Sequence, residues 1–200
     1  MDLSLSSAPA TFALIAANIV VSLYAFHGDR TFINQFAFQV QAVKDLRQHY
    51  RIVTSSFLHA NYFHLLLNMM TIFFFGPPIE EILGTNGFLV VYFGAIIVSG
   101  FVSLWVNRNN PGYASVGASD AASGVVLSFC CFYPLQPIYI LFIPFGIPAI
   151  LYGALFIFIS AQLMERENRV IAHEGHLGGA VAGVLLTLLM RPDIVTGLFS

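Results

Sequence analysis

Six stretches of this chain run for 17 to 26 residues without a single lysine or arginine: 10–26, 57–76, 87–106, 115–133, 138–163 and 170–190. Together they hold 123 of the 200 residues. A helix needs roughly 20 mostly apolar residues to cross the hydrocarbon core of a bilayer, and each stretch is of that order. Membrane β-strands would instead show segments of about ten residues that alternate in polarity, and these stretches are apolar all round. Because lipid offers no partner to backbone N–H and C=O groups, a bundle of helices is the solution left. The sequence therefore reads as an all-α membrane protein: one domain over residues 1–200, with six transmembrane helices. The first stretch lacks a basic leading region and a clear cleavage site, so it reads as a retained helix and not as a signal peptide.

Composition closes the other routes. Charged side chains number 18, or 9% of the chain, and the mean hydropathy is +0.80. A soluble domain averages about 25% charged residues, so the polar coat that water requires is missing. A net charge of −2 with eight scattered basic residues leaves no electrostatic footprint for nucleic acid. Cys130 and Cys131 are adjacent within an apolar run, which makes them small hydrophobes and not a disulfide framework.

The connections differ in character. The first loop, 27–56, mixes Arg30, Lys44, Arg47 and Arg51 with Phe32, Phe36, Phe38, Val40 and Val43, a pattern expected of a segment lying in the membrane interface. The remaining loops are short, so consecutive helices must run antiparallel. Pro77-Pro78 reads as the end of the second helix. Pro134, Pro137, Pro144 and Pro148 mark the fifth helix as the one most apt to bend.

Polar residues inside the stretches are costly, and they are not spread evenly. His59, His64 and Asn68 open the second helix, Ser119 and Asp120 the fourth, and His173, Glu174 and His176 the sixth. Alternation places the starts of helices 2, 4 and 6 on one side of the membrane, so these groups share a depth. A serine hydroxyl becomes a nucleophile when a histidine within reach takes its proton. A tetrahedral intermediate then needs donors: His64 and Asn68, at i and i+4, share a helix face, and the first backbone N–H groups of helix 4 have no partner within the helix. Small residues beside Ser119, and the spacing Gly175, Gly179, Gly183 in helix 6, allow close helix approach. Ser123, Ser128 and Ser160 read as hydroxyls bonded back to their own helix, and His173 and Glu174 as interfacial.

Taken in order, His59-Ala-Asn-Tyr-Phe-His64-Leu-Leu-Leu-Asn68, then Gly76, Glu80 and Gly84, then Gly117-Ala-Ser119, then His176-Leu-Gly-Gly179-Ala-Val-Ala-Gly183, the chain resembles the rhomboid family of intramembrane serine proteases. The resemblance runs from about Arg51 to Met190. It implies a six-helix rhomboid-like bundle and a Ser119–His176 dyad that cleaves a peptide bond in or near the span of another membrane protein. It also implies an oxyanion site at His64 and Asn68, a supporting role for His59 beside the first loop, and a structural carboxylate at Glu80. Transmembrane protein substrates and the lipid bilayer are the expected partners, no metal or other cofactor is called for, and the expected location is the cell (inner) membrane of a bacterium.

Two departures from the family pattern stand out. Asp120 occupies the position where the family usually has glycine after the serine. The helix dipole and an aqueous cavity favour an ionised, cavity-facing carboxylate there, with a helping role beside His176. The first loop offers Tyr50-Arg51 where the family commonly has Trp-Arg. Two rival functions follow from other features. His173-Glu-Gly-His176 with His59 and His64 suggests a metal-dependent protease, but a zincin needs its two histidines at i and i+4, whereas these stand at i and i+3. Asp120 also suggests a catalytically weak or inactive rhomboid-like protein that binds membrane clients. Basic residues favour loops one, three and five, which by the positive-inside rule puts the polar cluster on the cytoplasmic side; the resemblance implies the opposite face, and the expectation follows the resemblance.

Overall fold

The computed structural model describes residues 7–28, 30–139, 144–163 and 173–196, so residues 170–172 of the last stretch and Arg166 and Arg169 of the loop before it lie outside the described residues. The described residues are mainly helical. Helix α1 spans Pro9–His27 and starts with proline at its first turn, where a missing N–H costs nothing. Its buried residues Thr11, Leu14, Asn18, Ser22 and Ala25 recur every three or four positions and form one stripe. The loop that follows is folded onto the bundle: α2 (Arg30–Phe36), β1 (Phe38–Gln39), α3 (Val40–Lys44), α4 (Arg51–Thr54) and a 3₁₀ turn (Ser55–Phe57). Phe38, Val40 and Val43 are buried, so the segment expected to lie in the interface also contributes to the core. Arg51 fixes it there, donating through Nη1 to the carbonyls of Asn34 (2.7 Å) and Ala37 (2.8 Å), and through Nε to Gln48 (2.6 Å).

Helix α5, Tyr62–Val106, holds the second and third stretches. Pro77 and Pro78 lie inside it and do not end it. Their missing N–H groups leave the carbonyls of Phe73 and Phe74 without helix partners, a defect that membrane helices accommodate. The chain reverses at Gly84, whose backbone (φ 70°, ψ 165°) is one that side-chain-bearing residues rarely adopt. Two arms result, α5a (62–83) and α5b (85–106). Thr11 of α1 meets Gly76 and Glu80 of α5a, whereas Asn18 of α1 bonds Tyr92 of α5b at 3.2 Å, so the arms run back along one another. Phe88, Val91, Tyr92, Ala95, Ile96, Ser99 and Ser103 form one fully buried face of α5b, making it the central wall of the bundle.

Two further helices lean on that wall. After β2 (Ala114–Ser115), which pairs antiparallel with β1, α6 runs over Ser119–Phe132, and α8 over His173–Met190. A Cβ at Gly179 or Gly183 would overlap the backbone of Asp120 or Gly124, so α6 and α8 lie parallel and in main-chain contact. Ser128 and Thr187 extend this register further along, at 2.7 Å. The fifth stretch is shorter than expected. Its helix, α7, covers Ala149–Leu163, because Pro137–Ile138 (β3) and Ile147–Pro148 (β4) pair as an antiparallel ladder ahead of it. The prolines thus delimit the helix and do not bend it. A short α9, Asp193–Thr196, follows α8. Among the described residues, α1 and α5 are long and apolar enough to cross a membrane, the latter with length for two passages.

Glu80 is buried in apolar surroundings yet fully engaged. Its carboxylate accepts the backbone N–H of Ala10 (2.9 Å) and Thr11 (2.8 Å), and the hydroxyls of Thr11 (2.8 Å) and Thr85 (2.9 Å). It therefore caps the orphan donors and positive end of α1 and staples α1 to both arms of α5. Glu80→Ala should lower stability in detergent by about 3 kcal/mol, since several donors lose a charged acceptor at once. Thr85→Ala should cost about 1 kcal/mol. Unfolding midpoints of the two variants check this order.

Candidate active site

The start of α6 is set by Gly117, whose φ of 134° only glycine adopts without strain and whose N–H donates to the Ser55 carbonyl at 3.0 Å. This turn delivers Ser119 as the first residue of the helix. Main-chain contact with α8 then brings His176 opposite, and Ser119 Oγ lies 2.7 Å from His176 Nε2. For the hydroxyl to donate in that bond, the imidazole must be neutral with its hydrogen on Nδ1. The His176 ring stacks on Phe156 of α7, with centroids 6.4 Å apart and planes at 25°, and meets His173 edge-on at 6.1 Å. Ser123 donates to the Ser119 carbonyl at 2.7 Å, so its hydroxyl is spent within its own helix, as the sequence suggests.

His64 and Asn68 stand on α5a across from Ser119. A Cβ at Gly117 would come within 2.6 Å of His64 Cε1, 2.9 Å of His64 Nε2 and 3.6 Å of Ser119 Oγ, so imidazole and hydroxyl crowd the same small volume. Asn61 caps this helix start by accepting the His64 N–H at 2.8 Å. Asn68 donates one amide hydrogen to the His64 carbonyl at 3.0 Å, and its second remains available. Ser119, His176, His64 and Asn68 all line one cavity of about 640 Å³, bounded on its far side by Tyr113 to Val116. A smaller cavity of about 160 Å³ continues from Asn68, Ser119 and His176 toward Tyr152 and Phe156. At the cavity wall, burial first and the neighbouring Glu174 second push the Tyr113 phenol well above its usual value, leaving it a neutral group.

His59 is almost wholly buried behind this cluster. Its Nδ1 lies 2.8 Å from Ser22 Oγ, the Ser22 hydroxyl reaches the Phe57 carbonyl at 2.9 Å, and its Nε2 accepts the Ala118 N–H at 3.4 Å. A single proton arrangement satisfies all three: Ser22 donates to Phe57, His59 Nδ1–H to Ser22, and Ala118 to His59. His59 thus ties α1, the end of the first loop and the residue before Ser119 together. Ser22 is absent from the sequence reading, although Thr11, Asn18 and Ser22 repeat at helical spacing on α1 and mark a polar inner stripe.

Two expectations need correction. Asp120 does not face the cavity. Its carboxylate accepts a hydrogen bond from Ser99 Oγ on α5b and fills the space left by Gly175, where no side chain competes for it. Glu174 is not interfacial but fully buried, with Asn107 Nδ2 donating to it at 2.9 Å, a bond that offsets the cost of sinking a carboxylate. Among the described residues, no three of His, Cys, Asp and Glu come together in a way that could hold a metal ion.

A family model, the Rhomboid domain, matches residues 46–193. Curated relatives include Rhomboid-like protease 3 of Toxoplasma gondii, 33% identical over 156 residues, which is 74% of this chain and 54% of that protein. Rhomboid protein 1, mitochondrial, of Saccharomyces cerevisiae is 30% identical over 142 residues, 67% of this chain and 40% of that protein. Presenilin-associated rhomboid-like protein, mitochondrial, of Homo sapiens is 32% identical over 138 residues, 66% of this chain and 36% of that protein. The chain thus spans about half the length of these relatives or less. The site's dependence on its glycine turn is directly testable. Gly117→Ala should cost about 1–3 kcal/mol in detergent unfolding, because alanine is strained at this φ and its methyl group meets His64.

Proposed function

The chain belongs to the rhomboid family of integral membrane proteins, and from that premise we propose that it is an intramembrane serine endopeptidase acting through Ser119 and His176. The observation that carries this reading is the 2.7 Å approach of Ser119 Oγ to His176 Nε2 at the wall of a cavity shared with His64 and Asn68. On this reading the six stretches are six membrane-spanning helices. Helix α6, at 14 residues, is about 21 Å long, less than the ~30 Å hydrocarbon thickness, so its start lies below one membrane face with a water-accessible cavity above it.

The chemistry follows the groups present. As Ser119 Oγ attacks the scissile carbonyl, its proton passes to His176 Nε2, and the carbonyl π electrons move onto oxygen. The free Nδ2–H of Asn68, a ring N–H of His64 and the unpaired backbone N–H groups that open α6 are donors for that oxyanion. When the intermediate collapses, the C–N bond breaks and His176 returns its proton to the departing amine. Water then adds to the acyl-serine with His176 as base, the Oγ–acyl bond breaks, and Ser119 recovers its proton. Proteins with a single transmembrane segment are the substrate class that this depth fits. The client-binding alternative drew on Asp120, and that carboxylate is engaged by Ser99.

Two outcomes test the reading in proteoliposomes holding a single-span substrate. Ser119→Ala and His176→Ala should each abolish cleavage, and the double variant should be no worse than either, since the pair acts as a unit. Undiminished cleavage by Ser119→Ala would refute the assignment. Asn68→Ala and His64→Ala should each lower kcat by about 10²–10³ with a smaller change in KM, because their donors serve the transition state. Near-normal kcat in both would shift the oxyanion role to backbone groups alone.

A further inference from the structure

Each member of the dyad has a carboxylate close to it in sequence: Asp120 directly follows Ser119, and Glu174 precedes His176 by two residues. Neither carboxylate reaches the reacting atoms. Both turn to the same neighbour, α5b and its C-cap. Ser99 Oγ donates to Asp120, and Asn107 Nδ2 donates to Glu174 Oε1 at 2.9 Å while also bonding the Ser103 carbonyl at 3.0 Å. Ser99 and Asn107 are eight residues apart, about 12 Å along the helix axis, and both are buried. Asp120 makes a second contact as well. A Cβ at Gly175 would stand 2.8 Å from Asp120 Oδ1 and 3.0 Å from Ser99 Oγ, so the carboxylate rests against the α8 backbone one residue from His176.

We infer that Asp120 and Glu174 are paired positioning residues, which fasten the start of the serine helix and the start of the histidine helix to a common rule on α5b and thereby fix the distance between Ser119 and His176. This rests on the protease reading above. The physical basis is the strength of hydrogen bonds to charged groups inside a packed bundle: moving either helix start would stretch or break the bond that joins its carboxylate to the Ser99–Asn107 edge. Main-chain contact between α6 and α8 sets how closely the helices approach, but two smooth backbones can still slide and rotate. The two bonds to α5b resist that motion, and displacements near 1 Å at a reacting centre cost about a hundredfold in rate. The clamp also accounts for an acidic residue after the nucleophile. Asp120 takes up room that Gly175 leaves open, and so it does not crowd the dyad.

The experiment uses full-length protein in proteoliposomes, with kcat normalised to active sites counted by a serine-directed phosphonate. Ser99→Ala and Asp120→Ala should each lower kcat about tenfold with KM within twofold of wild type, and the double variant should match either single, since one bond is lost in all three. Asp120→Asn keeps an acceptor oxygen for Ser99 and should recover most of kcat. Asn107→Ala should lower kcat independently, so that its loss multiplies with that of Ser99→Ala. A merely structural role would reduce the active-site count or the melting temperature, and leave kcat per site unchanged. If Ser99→Ala does not fold, the contrast between Asp120→Asn and Asp120→Ala carries the test. Wild-type turnover per site in Asp120→Ala and Asn107→Ala would overturn the clamp while the protease reading stood. An inactive wild-type protein would remove that reading and the clamp with it.

Discussion

The meeting of Ser119 with His176 depends on two helices lying backbone against backbone. Residues 119 and 176 can be neighbours only if α6 and α8 approach more closely than side chains normally permit, and Gly179 and Gly183 remove the side chains that would prevent it. In lipid, little hydrophobic force drives helices together, since the surrounding chains are as apolar as leucine. Close van der Waals contact and interhelical hydrogen bonds must supply the attraction. The remaining architecture serves this contact. The hairpin of α5 provides a rigid wall beside it, and the folded first loop braces the wall from outside.

Most of the buried polar side chains described in this bundle are paired. Glu80 gathers four donors at one end of α1, Arg51 spends its guanidinium on loop carbonyls and Gln48, and Thr187 bonds Ser128 deep between α6 and α8. These hold elements together. The cluster of Ser119, His176, His64 and Asn68 differs in opening onto a cavity with donor and acceptor capacity unspent. Surrounding it are groups that hold it still: His59 behind Ala118, Phe156 against His176, and the carboxylates of Asp120 and Glu174 bonded to Ser99 and Asn107. Fixed surroundings around unsatisfied groups are the arrangement that favours a charge-developing transition state over solvent.

How much of this was legible in the sequence varied with the kind of interaction. The convergence of residues 64, 119 and 176 could be read because helix parity and length carry it, and Glu80 could be read from the family motif. The turn at Gly84 could not be distinguished from one at Pro77-Pro78, since proline usually ends a helix in water and is tolerated in a membrane. The late start of α7 was hidden because a ladder of two-residue strands leaves no periodicity. Ser22, Ser99 and Asn107 escaped notice because each is an ordinary polar residue until a partner distant in sequence arrives. Asp120 and Glu174 were misplaced for a related reason: a carboxylate near a helix start suggests water, unless donors that no local pattern reveals are waiting inside.

The proposed chemistry stands on Ser119 being the nucleophile that His176 activates. The most direct measurement is to treat the detergent-solubilised protein with a serine-directed fluorophosphonate and map the adduct by peptide mass spectrometry, for wild type and His176→Ala side by side. One adduct per chain is expected, on Ser119, forming far more slowly or not at all in His176→Ala. An adduct on Ser123 or another residue, or labelling of Ser119 at an unchanged rate without His176, would contradict it.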